Sequence, residues 1–84
     1  MTKEEAIQSL IIKFTDEGKR LGKKISYALQ EKKVLLEMIK AHGITENVEE
    51  ILEDNRRKID HGQEELKGVL DRIKSLKSEV SNEF

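Results

Sequence analysis

The sequence predicts an all-α protein: two long antiparallel helices that form a coiled-coil hairpin, which we expect to dimerise into a four-helix bundle. Charged residues make up 39% of the 84-residue chain and aromatic residues 4%, without Pro or Cys, a composition typical of long helices. Apolar residues recur at alternating steps of three and four along both halves of the chain, as in a heptad repeat. One short stretch of helix-ending and helix-starting residues separates the halves.

The first helix is predicted over residues 3–41. Thr2 precedes it as an N-cap, and Glu5 follows three residues later, which is the spacing of a capping box. The heptad positions, here called the seam, are apolar except for Gly18 and Lys32. The first-helix seam is Ile7, Ile11, Phe14, Gly18, Leu21, Ile25, Ala28, Lys32, Leu35 and Ile39.

A tight turn is predicted over residues 42–45 and a second helix over residues 46–80. Gly43 can end the first helix in the left-handed conformation with Ile44 packed on Ile39, as in a Schellman cap, and Thr45 can cap the second. The second-helix seam is Val48, Leu52, Asn55, Ile59, Gly62, Leu66, Val69, Ile73, Leu76 and Val80.

One antiparallel register about the turn matches every seam position of the first helix with one of the second. It pairs Ile39 with Val48 beside the turn and Ile25 with Gly62 near the middle. Neither seam shifts phase at a glycine, as a real helix break would require, so a bundle of three or four shorter helices is the less favoured alternative. The prediction is one hairpin domain covering residues 1–84.

Two groups of seam and near-seam residues depart from the apolar pattern. Lys32 and Asn55 share one layer, and a polar layer in a coiled coil typically fixes the register. Asn55 is expected to bond across the seam while Lys32 extends to solvent. Four glycines fall in one cross-section: Gly18, Gly22, Gly62 and Gly68. They mark either a close approach of the helices, with possible entry of a partner side chain, or tolerated surface positions.

Composition excludes several function classes. The net charge is −1, so no overall field attracts nucleic acid or an anionic membrane. The only histidines, His42 and His61, are far apart and do not form a zinc site. No nucleophile–base pair, paired-carboxylate cleft or glycine-rich phosphate loop is present. We therefore expect no enzymatic activity, cofactor, metal or small-molecule substrate. Without a signal peptide or membrane segment, a cytoplasmic location is expected, and export without a signal stays open.

Two surfaces are candidates for binding. Surplus apolar residues towards the turn widen the seam, and such surplus indicates a partner helix or a second copy. The predicted partner-binding residues are Leu29, Val34, Leu36, Met38, Ile44 and Ile51. A possible basic patch comprises Lys19, Arg20, Lys23 and Lys24, but nearby acidic residues such as Glu64, at the level of Lys23, favour a partly paired, solvated face.

The length and the turn at residues 42–45 (H-G-I-T) resemble those of short helical-hairpin aspartyl phosphatases that act on sporulation response regulators. That family carries Ser-Gln-Glu-Leu-Asp early in its second helix, whereas residues 51–55 here read I-L-E-D-N, and Q-E-E-L at residues 63–66 comes later with an extra residue. The hairpin is also similar to small secretion partners of type VII systems, but their Trp-x-Gly turn is absent. No family is assigned.

The sequence therefore predicts a small protein–protein interaction module: an adaptor, chaperone or inhibitor that binds a partner helix or a second copy. The first alternative is a nucleic-acid-binding hairpin dimer that uses the Lys19–Lys24 cluster. The second alternative, from the resemblance, is a small regulator of a response regulator or a secretion partner.

Overall fold

A computed structural model describes residues 2–82, and over that range it contains two helices, α1 (Lys3–His42) and α2 (Glu46–Asn82), and no strand. The helices lie side by side and form a rod of 60 × 16 × 14 Å. The predicted all-α hairpin is confirmed. Helix α1 ends at His42 instead of residue 41, and α2 ends at Asn82 instead of residue 80. Dimerisation stays a prediction.

A threonine caps the start of each helix, as the sequence predicts. The Glu5 amide donates to Thr2 Oγ1 at 3.1 Å, and the Val48 amide donates to Thr45 Oγ1 at 3.3 Å. The Thr45 carbonyl also accepts the first helical hydrogen bond of α2, from the Glu49 amide at 3.0 Å. Each threonine therefore satisfies an amide that has no partner within its helix.

The turn differs in detail from the predicted Schellman cap. Gly43 has a positive φ of 81°, but its ψ of 177° lies outside the left-handed helical region. Its amide donates to the Ile39 carbonyl at 2.8 Å. Because the extended ψ carries the chain away from the helix end, Ile44 does not fold back onto Ile39 and is 68% exposed. The combination of φ and ψ at Gly43 is one that essentially only glycine adopts.

The core is the seam between the two helices. Every seam position except Lys32 is buried or half-buried. The buried apolar side chains among the described residues are Ile7, Leu21, Ala28, Leu35, Ile59 and Val69. A core of this size is small for the length of the chain, since two helices can cover only one stripe of each other.

Contacts across the seam confirm the predicted register. A β-carbon placed on Gly62 would lie 2.9 Å from Ile25 Cγ1, so these residues meet directly. A β-carbon placed on Gly18 would lie 3.7 Å from Val69 Cγ1 and 3.8 Å from Leu66 Cδ1. The contacts of Gly62 with Ile25 and of Gly18 with Val69 join positions that the heptad pattern pairs, and Leu66 belongs to the neighbouring layer.

The predicted group of four glycines divides into two kinds. Gly62 permits a close approach of the helices, since any larger residue would overlap the base of the Ile25 side chain, and Gly18 faces the seam at ordinary contact distance. Gly22 and Gly68 face open space within 4 Å. The close approach therefore rests on Gly62, and Gly22 and Gly68 are tolerated surface positions.

Candidate functional site

One side of the hairpin, here called the Leu36 flank, carries a groove of about 690 Å³ beside the turn. Its apolar lining is Leu36 of α1 and Leu52 of α2, and Leu29 lies one heptad before Leu36 on the same side. The polar lining is Lys32, Glu46, Glu49, Glu50, Glu53, Asn55 and Arg56. The groove is therefore lined by one leucine and one lysine along α1 and is mainly acidic along α2.

The opposite side, here called the Met38 flank, carries a groove of about 390 Å³ near the middle of the rod. Met38 lies on this side one heptad beyond Glu31, a lining residue, and Ile51 lies one heptad before another, Lys58. The complete lining is Leu21, Lys24, Ile25, Tyr27, Ala28, Glu31, Lys58, His61, Gly62 and Glu65. Positive and negative side chains alternate here, so this groove has no dominant sign of charge.

The structure places the predicted partner-binding residues on more than one surface. Leu29 and Leu36, 47% and 48% exposed, belong to the Leu36 flank, whereas Met38 and Ile51, both 46% exposed, belong to the Met38 flank. Val34 lies one helical turn before Met38 on the outer side of α1, and Ile44 lies in the turn. One helix packed against the hairpin can cover one flank only, so the six residues do not act as a single contact.

The polar layer contains the one fully buried polar side chain among the described residues. Asn55 is 0% exposed, and its Nδ2 donates to the Ala28 carbonyl across the seam at 2.8 Å. Its Oδ1 is also buried and has no hydrogen-bond partner. Lys32, in the same layer, is exposed. The cross-seam hydrogen bond of Asn55 and the exposure of Lys32 were both expected from the sequence. The buried Oδ1 without a partner was not expected.

An ion-pair cluster occupies the acidic side of the Leu36 flank. Arg56 donates to both carboxylate oxygens of Glu53, at 2.7 and 3.1 Å. Arg57 Nε lies 3.6 Å from Glu53 Oε1, and Arg56 Nη1 lies 3.9 Å from Asp60 Oδ2. The hydrogen bond from Arg56 lowers the pKa of Glu53, and the same bond raises the pKa of Arg56. Glu53 is therefore the acidic residue of the groove that already has a cationic partner.

The possible basic patch is exposed but not paired as the sequence predicted. Between residues 2 and 82, no carboxylate lies within ion-pair distance of Lys19, Arg20, Lys23 or Lys24. Lys23 and Glu64 stand at the same level of the rod but on its two outer faces, because both positions point away from the opposing helix. The register correctly predicted that Lys23 and Glu64 lie at the same level of the rod. The prediction that nearby carboxylates pair with the basic patch was wrong.

The two histidines do not meet. His61 Nε2 lies 2.6 Å from Glu65 Oε1 one helical turn along α2, whereas His42 lies at the end of α1. In the part of the chain that the structure describes, no group of three His, Cys, Asp or Glu side chains could hold a metal ion.

Sequence reasoning missed two features of these surfaces. Tyr27 is 69% exposed and lines the groove of the Met38 flank. The acidic side of the other groove was also missed, although Glu46, Glu49 and Glu53 follow one another at steps of three and four. That spacing places them on one side of α2 and is the signal that could have revealed the acidic strip.

No protein-family model, curated protein or solved structure significantly matches this chain. Neither helix, over residues 2–82, contains a segment long and apolar enough to cross a membrane. A function can therefore be proposed only from the residues of the two flanks.

Proposed function

We propose that the chain is a non-enzymatic protein-interaction module, acting as an adaptor, chaperone or inhibitor. It binds a helix of another protein, or of a second copy, at the half of the hairpin next to the turn. The observation that carries this proposal is the pair of half-exposed leucines, Leu29 and Leu36, one heptad apart beside an open groove. Apolar residues at heptad spacing outside the seam are the usual contact of a helix that packs into a bundle.

The free energy from these two leucines is modest. Full burial of a leucine contributes about 1.5–3 kcal/mol, so covering the exposed halves of Leu29 and Leu36 contributes about 1.5–3 kcal/mol together. A micromolar complex needs roughly 8 kcal/mol. The leucines can anchor a bound helix, while Leu52 and the polar lining of the groove must supply the remaining affinity.

Leu29→Glu/Leu36→Glu tests the proposal, with Leu70→Glu as the control. Leu70 is 54% exposed on the same flank but lies towards the other end of the rod. If the proposal is correct, light scattering detects a dimer or a defined heterocomplex, which the double variant loses and the control keeps. A strict monomer whose pull-down partners are the same with and without the double substitution would contradict it.

A second candidate function is nucleic-acid binding through Lys19, Arg20, Lys23 and Lys24. The observation that supports it is that these four side chains are exposed and unpaired, since paired cations would release no counterions on binding. This candidate predicts retention of RNA or DNA that weakens steeply between about 50 and 200 mM salt. Retention that is absent, or that does not change with salt, dismisses it.

A further inference from the structure

We infer that the groove of the Leu36 flank accepts a basic amphipathic helix, in which Lys or Arg residues border an apolar stripe. This inference rests on the proposed function and specifies the charge and shape of the partner. It depends on three observations at the groove: unpaired carboxylates on one side, a buried acceptor without a donor, and an apolar strip of matching length.

The carboxylates are the first observation. Glu46, Glu49, Glu50 and Glu53 line the groove along α2, against two cations, Lys32 and Arg56. Arg56 is held by Glu53 at 2.7 Å. The other three glutamates have no ion-pair partner among residues 2–82. A cationic partner lowers the mutual repulsion of these neighbouring charges, whereas an acidic partner would raise it.

The buried acceptor is the second observation. Asn55 lines the groove, and its Oδ1 is buried without a hydrogen-bond partner while Nδ2 is bonded to the Ala28 carbonyl. A buried carbonyl oxygen without a donor is unfavourable, because it has lost its hydrogen bonds to water and gained none in the fold. Lys and Arg carry donors and no acceptor, so a side chain of either type has the chemistry that this oxygen lacks, whereas an apolar side chain does not. To reach the oxygen, which is buried, the side chain has to enter the seam beside Lys32.

The shape of the groove is the third observation. Its lining along α2 runs from Glu46 to Arg56, which is about three helical turns at 1.5 Å rise per residue. Along α1, Leu36 lies within this span, and Leu29, one heptad earlier and level with Lys58, continues the apolar strip just beyond Arg56 towards the middle of the rod. A helix of about four turns with apolar residues at steps of three and four therefore matches the groove in length and periodicity.

The groove of the Met38 flank provides the contrast. Lys24 and Lys58 oppose Glu31 and Glu65 there, so two cations meet two carboxylates. This groove offers no net preference for a basic or an acidic helix. Of these two grooves, only the one on the Leu36 flank therefore selects by charge, and a variant of the Met38 flank is a suitable control.

The test is fluorescence anisotropy with two labelled synthetic peptides of about four helical turns. Both carry leucines at steps of three and four; the remaining positions are lysine in one and glutamate in the other. The full-length chain should bind the lysine peptide about ten-fold more tightly than the glutamate peptide at low salt, and added salt should reduce this ratio. Glu49→Lys/Glu50→Lys should reverse the preference, while Glu31→Lys/Glu65→Lys, with the same change in net charge, should not.

The possible outcomes separate this inference from the proposed function. Equal binding of both peptides that is lost in Leu29→Glu/Leu36→Glu overturns the preference for a basic helix and leaves the interaction module standing. A reversed preference in the Glu31→Lys/Glu65→Lys control overturns the assignment to the Leu36 flank. A dimer that the lysine peptide does not dissociate makes a second copy the occupant and also overturns the inference. Binding of neither peptide by a chain that stays monomeric and has no partner overturns both.

Discussion

Gly62→Ala is expected to lower the free energy of unfolding or leave it unchanged, although alanine forms helices better than glycine does. Gly68→Ala, in the same helix, should raise it. The two substitutions add the same methyl group and the same gain in helix propensity. They differ in surroundings, because the added methyl at Gly62 would lie 2.9 Å from Ile25 Cγ1, whereas at Gly68 nothing lies within 4 Å.

The expected magnitudes follow from these distances. Replacing glycine with alanine in a helix interior stabilises by about 0.5–1 kcal/mol. Forcing a methyl group into a packed interface typically costs about 1–3 kcal/mol. Ile25 Cγ1 is bonded directly to Cβ, so it can move away only by rotation about χ1, and a β-branched side chain in a helix strongly prefers one χ1 rotamer. Gly68→Ala should therefore stabilise by up to about 1 kcal/mol, and Gly62→Ala should be neutral or destabilise by up to about 2 kcal/mol.

Urea denaturation followed by helical circular dichroism measures both changes, provided that the slope of unfolding free energy against urea stays constant. The Ile25→Ala background gives the internal control, because it removes Cγ1, the atom that the new methyl would meet. Gly62→Ala should be stabilising in that background. Equal stabilisation by Gly62→Ala and Gly68→Ala in the unmodified chain would refute a close approach of the helices at Gly62.

Three further outcomes are expected. Asn55→Leu should raise the melting temperature, because it removes a buried acceptor without a donor. Amide hydrogen exchange around Ala28 should become faster, because the polar layer no longer fixes one alignment of the two helices. A lower melting temperature would contradict this prediction. Arg56→Gln should raise the pKa of Glu53 in a carboxyl NMR titration, because the hydrogen bond from Arg56 lowers it. The pair therefore stabilises the fold above the unfolded carboxyl pKa, and that stability is lost as pH falls through the lower folded pKa. Thermal melts of the variant should show a smaller loss, because Arg57 still lowers the pKa of Glu53. Thr2→Ala should destabilise the chain by about 1 kcal/mol in urea denaturation through loss of a cap, and Thr2→Ser should not.

The heptad pattern was sufficient to predict the helices, the register and the polar layer. Steps of three and four identify one face of each helix, and two matching faces with a single turn between them allow one alignment. The same pattern predicted that Asn55 would bond across the seam. Its free Oδ1 could not be predicted, because it depends on the rotamer and on how closely neighbouring side chains pack.

The candidate surface was predicted only in part. Apolar surplus near the turn was evident in the sequence, but its division between two flanks required each residue to be placed relative to the seam. Leu36 follows its seam neighbour Leu35, whereas Met38 precedes its seam neighbour Ile39, and these offsets lead to opposite sides of α1. The turn was predicted over residues 42–45, whereas the structure includes His42 in α1. The positive φ of Gly43 was expected from the glycine, but its extended ψ was not, because glycine allows several values of ψ at positive φ.

Because each helix packs only against the other, the sequence separation of the contacts increases with distance from Gly43. The layer nearest the turn closes a loop of roughly ten residues and the farthest one of roughly seventy, a difference of about 2 kcal/mol in closure entropy. Folding that zips from the bend outwards meets the smaller entropy first, and fraying begins at the open end. Leu36 and its groove lie beside the bend, on the part of the rod that we expect to form earliest and to open last.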